Sequence, residues 1–284
     1  MILDHGCDAV SCCTIALSVT RALGVEKFWQ AVVLCYCAFL FFMANLEQYY
    51  THYLYLPKIN AVSEGVWGMA LLCIFSGAIG CDFWKKTPLG FQNNKILLIV
   101  FLGVSIVTTF YHVKKILEKT DSMDLFLRCR MSLLFCLACI LFYLVNWNCY
   151  DYAIMYVAAF NISKITVLCQ LAHVTNRDFQ PLRFVNIALL FWAFLILVLS
   201  IFSSDVNSNK WILFLFALAD FCNFAVTISR RMAKLLGISI FSVTNSGSAG
   251  GNSSQTGSSP DINIEGENFK KVQNQHDSMP EDTV

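Results

Sequence analysis

The chain has 284 residues, of which 57% are hydrophobic and 14% are charged, and its mean hydropathy is +0.59. Soluble domains average about 45–50% apolar and 25% charged residues, so this composition excludes an ordinary water-soluble domain. The formal net charge is +1, which excludes the strongly basic field of nucleic-acid-binding proteins. We therefore expect an all-α, polytopic integral membrane helix bundle with no nucleic-acid partner.

Hydropathy divides the chain into about eight candidate transmembrane helices. Each candidate has close to the 17–25 largely apolar residues that a membrane span needs, and several carry tryptophan near an end, as interfacial anchors do. The first candidate is the least apolar, because it contains Asp8 and Arg21. The eight segments are 5–22, 28–46, 66–84, 95–112, 131–147, 152–173, 184–203 and 211–229.

The distribution of basic residues predicts an orientation. Eleven lysines and arginines flank the predicted spans on one side and six flank them on the other. The positive-inside rule therefore places the 47–65, 113–130 and 174–183 loops in the cytosol, together with the start of the first span. The transmembrane domain is expected at 1–241. Residues 242–284 are rich in serine and glycine and predict a disordered cytosolic tail.

Two carboxylates lie at the start of the first span. Asp4 and Asp8 are four positions apart, so they share one face if the helix begins here. Their mutual repulsion is removed by a divalent cation, and Mg²⁺ or Mn²⁺ suits such hard oxygen ligands. The alternative is that Asp4 caps the helix and Asp8 is a solvated acid favoured by the helix dipole.

Other ionisable residues lie at or near membrane depth. Lys164 and Asp220 are the deepest, and they predict either a substrate or ion contact or a structural role, as an interhelical pair or as side chains that snorkel to the interface. Glu47 is expected at a cytosolic helix end, either as a solvated acid or in a functional role. His173 is expected to be an interfacial polar residue.

A series of short motifs extends over the first 84 residues. In chain order they are Asp4-His5-Gly6-Cys7-Asp8, Phe41-Phe42, Glu47-x-x-Tyr50-Thr51-x-x-Leu54-x-Leu56-Pro57, Asn60-x-x-x-Glu64-Gly65 and Phe83-Trp84. This series resembles the eukaryotic choline/ethanolamine phosphotransferase branch of the CDP-alcohol phosphotransferase family, whose signature is D-x-x-D-G-x-x-A-R-x₈-G-x₃-D-x₃-D.

The resemblance implies roles for particular residues. Asp4 and Asp8 look like the last two aspartates of the signature, which implies that they are ligands of Mg²⁺ or Mn²⁺. Asp8 is also a candidate catalytic base, and His5 competes for that role because imidazole exchanges protons near neutral pH. Asn60 and Glu64 are expected near the head group of the substrate, where the faces of nearby tyrosines would also suit a quaternary ammonium.

The resemblance also implies a function and an incomplete chain. The expected reaction transfers phosphoethanolamine or phosphocholine from its CDP ester to diacylglycerol, in the endoplasmic reticulum or Golgi and in a homodimer. The family fold has about ten helices, so the chain resembles an N-terminally truncated member that lacks the first two helices and the D-x-x-D-G-x-x-A-R segment. The alternative function is a catalytically silent isoform that acts as a membrane assembly partner.

Overall fold

The computed structural model describes residues 2–53, 64–80, 82–87, 92–147, 149–202 and 207–236. Over these ranges all regular secondary structure is helical, which confirms the all-α prediction. Asn60 and the predicted tail at 242–284 lie outside the described ranges. The helices are α1 (Ile2–Ala22), α2 (Lys27–Thr51), α3 (Glu64–Ile79), α4 (Asp82–Lys85), α5 (Asn93–Leu117), α6 (Ser122–Val145), α7 (Ala153–Val174), α8 (Phe184–Phe202) and α9 (Asn207–Leu236).

Six of the eight predicted spans correspond to helices that are long and apolar enough to cross a membrane. These helices are α2, α5, α6, α7, α8 and α9. A helix satisfies its own backbone hydrogen bonds, which is a requirement in a hydrocarbon solvent that offers no partners. The chain is therefore an integral membrane protein built as a helix bundle.

The other two predicted spans are also helical but differ from the six. The first, α1, has 21 residues and is too polar to qualify by hydropathy. The second, α3, is apolar but has only 16 residues, or about 24 Å at 1.5 Å per residue, against a hydrocarbon core of about 30 Å. The predicted segment 66–84 was too long, because Gly80 adopts a positive φ of 86° that ends the helix.

Helix α7 is the central element of the bundle. In its most apolar stretch 83% of the residues are buried, and it packs against α1, α2, α6 and α9. Two of its buried polar side chains find partners on these neighbours. Lys164 donates to the Asp220 carboxylate on α9, and Gln170 donates to Asn45 and to Gln48 on α2. Lys164 and Asp220 thus form the interhelical pair that was one of their alternatives.

The antiparallel helices create two ends of the bundle. The first, here called the Asp4 end, holds the start of α1 and the ends of α2 and α7, as the stacked rings of His52 and His173 show. The second, here called the Arg21 end, holds the end of α1 and the start of α7, since Arg21 donates to the Tyr152 hydroxyl. The 21 residues of α1 separate the two ends by about 30 Å.

Candidate functional site

Asp4 and Asp8 lie one turn apart on the first part of α1, and both are exposed. Gly6 lies between them on the opposite face of the helix, where a Cβ atom would be 3.3 Å from Val167 Cγ2 on α7. Glycine here allows α1 to approach α7 closely, as small residues do between membrane helices. The close approach fixes α1 with its two carboxylates directed away from the central helix.

The carboxylates begin a polar face that continues along α1. Ser11, Thr14 and Ser18 follow on the exposed side of the helix. The hydroxyls of Thr14 and Ser18 donate to backbone carbonyls one turn back, at 3.0 and 2.9 Å. This polar face explains why α1 is the least apolar of the predicted spans, and it gives the Asp4 end a hydrophilic surface beside apolar helices.

Three histidines come together at the Asp4 end. His52 ends α2 in a left-handed conformation with φ of 56°, and its ring stacks on that of His173 with centroids 5.5 Å apart and planes at 25°. His5 on α1 is close enough to interact electrostatically with His173. The Nδ1 atom of His173 is buried without a hydrogen-bond partner in the described part of the chain. The start of α1 therefore adjoins a group of proton-exchanging side chains.

Glu47 is buried rather than solvated. Its Oε2 atom lies 2.5 Å from Nδ1 of His112, and this contact joins α2 to α5. The sequence indicated Glu47 as a helix-end acid but gave no sign of its partner, which is 65 positions away. Glu47 is thus held inside the bundle, away from the exposed carboxylates of α1.

The tyrosines at the end of α2 serve contacts between elements. Tyr50 donates to the Asp124 carboxylate on α6. Arg128 bridges Asp124 at 3.1 Å and Asp178 at 2.8 Å, which ties α6 to the segment after α7. The Tyr49 hydroxyl accepts from the backbone N–H of Phe179 at 3.2 Å, which ties α2 to the same segment.

The predicted head-group residues are described only in part. Glu64 is the first residue of α3, and its side chain lies outside the described set. Asn60 lies outside the described ranges altogether. The structure therefore brings together Asp4, His5 and Asp8 on one helix and leaves the placement of Asn60 and Glu64 as a prediction.

Known proteins with similar sequences include choline/ethanolamine phosphotransferases. No family model matches the chain. The chain is 30% identical to "Choline/ethanolaminephosphotransferase 2" of Arabidopsis thaliana over 123 residues, which is 38% of this chain and 31% of the relative. It is 23% identical to "Cholinephosphotransferase 1" of Danio rerio over 268 residues, which is 87% of this chain and 68% of the relative. The chain is thus similar to choline/ethanolamine phosphotransferases and other CDP-alcohol phosphotransferases.

The similarity consists of two long matches and several short ones. A second long match, 24% identical over 270 residues, is to "Uncharacterized CDP-alcohol phosphatidyltransferase class-I family protein 2" of Dictyostelium discoideum, and it covers 87% of this chain and 62% of the relative. The match to the plant relative covers less than a third of that protein's length. The long matches thus cover most of this chain at low identity.

CDP-alcohol phosphotransferases use divalent metal ions, and carboxylates are the side chains that suit such ions. The described residues contain no group of three or more His, Cys, Asp or Glu side chains placed to hold a metal ion. Mg²⁺ commonly takes only one or two carboxylates and completes its shell with water and substrate phosphates. Asp4 and Asp8 fit a divalent cation whose other ligands are water and substrate phosphates, because both carboxylates are exposed on one face of α1.

Replacement of Gly6 by valine is expected to destabilise the helix bundle by about 1–3 kcal/mol, the typical cost of overpacking. The added side chain meets Val167 and forces α1 away from α7. The matched control is Gly103→Val on α5, where a Cβ atom meets nothing within 4 Å. Thermal unfolding in detergent measures both variants. Equal melting temperatures for the two variants would show that α1 is not fixed by this contact.

Proposed function

We propose that this chain transfers phosphoethanolamine or phosphocholine from its CDP ester to the hydroxyl of diacylglycerol, forming a phospholipid and CMP. The observation that carries the proposal is the exposed pair Asp4 and Asp8 beside His5 at the start of α1. The proposal is supported by similarity over 87% of the chain to "Cholinephosphotransferase 1" of Danio rerio.

The reaction makes three demands on the protein. The lipid oxygen forms a bond to the transferred phosphorus, and the bond from that phosphorus to the CMP oxygen breaks. Bound Mg²⁺ or Mn²⁺ would supply charge neutralisation at the diphosphate. Asp4 and Asp8 would hold the cation from the exposed face of α1, and a base must accept the proton of the lipid hydroxyl.

Two residues compete for the role of base. His5 is partly buried beside the histidines of the Asp4 end, whereas Asp8 is exposed. If His5 is the base, His5→Gln lowers turnover by about 10²–10⁴-fold, the usual worth of a positioned acid or base. If Asp8 is the base, His5→Gln leaves turnover within a few-fold of the parent chain. The exposed neighbour Cys7 provides the control, since Cys7→Ser should change turnover little in either case.

The substrate and cellular setting complete the proposal. Asn60 and Glu64 would lie near the alcohol head group, by likeness to the family motif. The enzyme would act in the endoplasmic reticulum or Golgi as a homodimer, with its Asp4 end and its tail in the cytosol. The excess of basic residues on that side supports this orientation.

The test is expression of the chain in membranes that lack their own phosphotransferases, followed by addition of labelled CDP-ethanolamine or CDP-choline. Labelled phospholipid that requires Mg²⁺ and diacylglycerol is the expected result. The second candidate function, a catalytically silent assembly partner, is favoured because the described residues contain no group of three or more His, Cys, Asp or Glu side chains placed to hold a metal ion. Membranes that contain the folded chain but form no labelled lipid from either donor would overturn the first proposal.

A further inference from the structure

The Arg21 end of the bundle contains a large basic cavity. Its volume is about 910 Å³, and its walls come from the end of α1, the start of α2, α4 and the segment before α7. Three cationic side chains line it, from Arg21, Lys27 and Lys85, and the lining includes one carboxylate, Glu26. Cations therefore outnumber anions three to one around this space.

The three cations have no carboxylate partners in the part of the chain that the structure describes. Arg21 donates to the Tyr152 hydroxyl at 2.8 Å. Lys27 lies over the ring of the same tyrosine, and its Nζ atom is buried without a hydrogen-bond partner among the described residues. Lys210, at the same end, differs because it pairs with Asp151.

A buried ammonium without an anionic partner is costly, because burial removes the water that would solvate its charge. An anion bound in the cavity would remove that cost. The pKa of the neighbouring Tyr152 is affected by the same positive charge. Burial raises the pKa of Tyr152, whereas its contacts with Lys27 and Arg21 lower it. The second effect is the larger, so the pKa of Tyr152 lies below the usual tyrosine value.

The cavity also has aromatic walls. Trp147 and Tyr150 line it, and the Trp147 ring is held by stacking on Phe28, with centroids 5.4 Å apart and planes at 25°. Tryptophan and tyrosine favour the boundary between hydrocarbon and water. Basic pockets between membrane helices are suited to phospholipid head groups, and arginine and lysine are the usual phosphate ligands.

We propose that the cavity of Arg21, Lys27 and Lys85 binds the phosphate group of an anionic lipid. Arg21 is seventeen positions from Asp4 on α1, which is about 25 Å along the helix. The site is therefore separate from the proposed transfer site and lies at the opposite membrane face. Lipid bound there would hold α1, α2 and α4 together without entering the reaction.

The experiment measures lipid binding to the full chain in detergent by native mass spectrometry. The probes are dioleoyl phosphatidylglycerol and, for comparison, dioleoyl phosphatidylcholine. Lys27→Gln/Lys85→Gln is expected to weaken phosphatidylglycerol binding by about tenfold or more, which corresponds to the loss of at least one charge-assisted hydrogen bond. The control Lys86→Gln removes an exposed charge from the residue next to Lys85, outside the lining of this cavity, and should change binding less than twofold.

The single variant Lys85→Gln should fold normally because Lys85 is exposed, so weaker lipid binding by this variant would not be due to misfolding. Lys85→Arg keeps the positive charge and should retain binding. Competition with inorganic phosphate distinguishes the sources of the ligand. Displacement by millimolar phosphate assigns the site to phosphate groups in general, and resistance to it assigns the site to lipid head groups. Unchanged phosphatidylglycerol binding in the double variant, or an equal loss in Lys86→Gln, would overturn the proposal.

Discussion

Replacement of Asp8 by asparagine is expected to lower phospholipid formation by about 10²–10⁴-fold. Asparagine keeps the size of the side chain but removes the negative charge that a divalent cation needs. Asp8 is exposed on α1, so the change should leave folding intact. Transfer of label from CDP-choline or CDP-ethanolamine to diacylglycerol measures the loss, and a higher Mg²⁺ concentration should restore part of it.

The control for Asp8→Asn is Asp121→Asn at the same end of the bundle. Asp121 caps α6 by accepting from the backbone N–H of Asp124 at 2.7 Å. Asparagine is an equally good cap, so this variant loses a carboxylate without losing structure. We expect it to keep activity within a few-fold of the parent chain. Full activity in Asp8→Asn would exclude Asp8 both as a metal ligand and as the base.

Replacement of Lys164 by methionine is expected to destabilise the bundle by about 3–5 kcal/mol. The side chain of Lys164 is 5% exposed, and its ammonium pairs with Asp220 between α7 and α9. Methionine leaves that carboxylate without its partner at membrane depth, where an isolated charge is costly. Thermal or denaturant unfolding in detergent measures the loss.

The double variant Lys164→Met/Asp220→Leu separates the pair's structural role from a functional one. Removal of both charges together should recover most of the lost stability, because apolar packing often equals or exceeds a buried ion pair. The exposed pair of Lys115 and Glu118 is the control, since Lys115→Gln should cost less than about 1 kcal/mol. A stable double variant without transfer activity would contradict a purely structural role.

Hydropathy located the helices because the membrane core imposes both their length and their apolarity. It placed one span at 152–173 where α7 is Ala153–Val174, and another at 184–203 where α8 is Phe184–Phe202. It began the sixth helix late, at residue 131 instead of Ser122, because Asp124, Arg128 and Arg130 form its first turns. Those turns are stabilised by contacts with other elements, which a window of local hydropathy does not register.

The candidate site was predictable to the extent that it is local. Asp4, His5 and Asp8 lie within two turns of one helix, so their spacing alone placed the carboxylates on one face. The stacking of His52 on His173 depends on the positive φ of His52 and on the packing of α2 against α7. Such contacts between distant positions carry no short-range signal, and the partner of Glu47 was not predictable for the same reason.

The purified chain in proteoliposomes provides the decisive measurement. The donor is CDP-choline labelled with ³²P in the phosphate next to choline, and the vesicles contain diacylglycerol and Mg²⁺. Phosphotransfer at the Asp4 end predicts that ³²P enters phosphatidylcholine with an equal amount of unlabelled CMP, and that Asp8→Asn lowers both products by about 10²–10⁴-fold. Labelled phosphocholine in water without labelled lipid, or equal lipid labelling by Asp8→Asn, would contradict it.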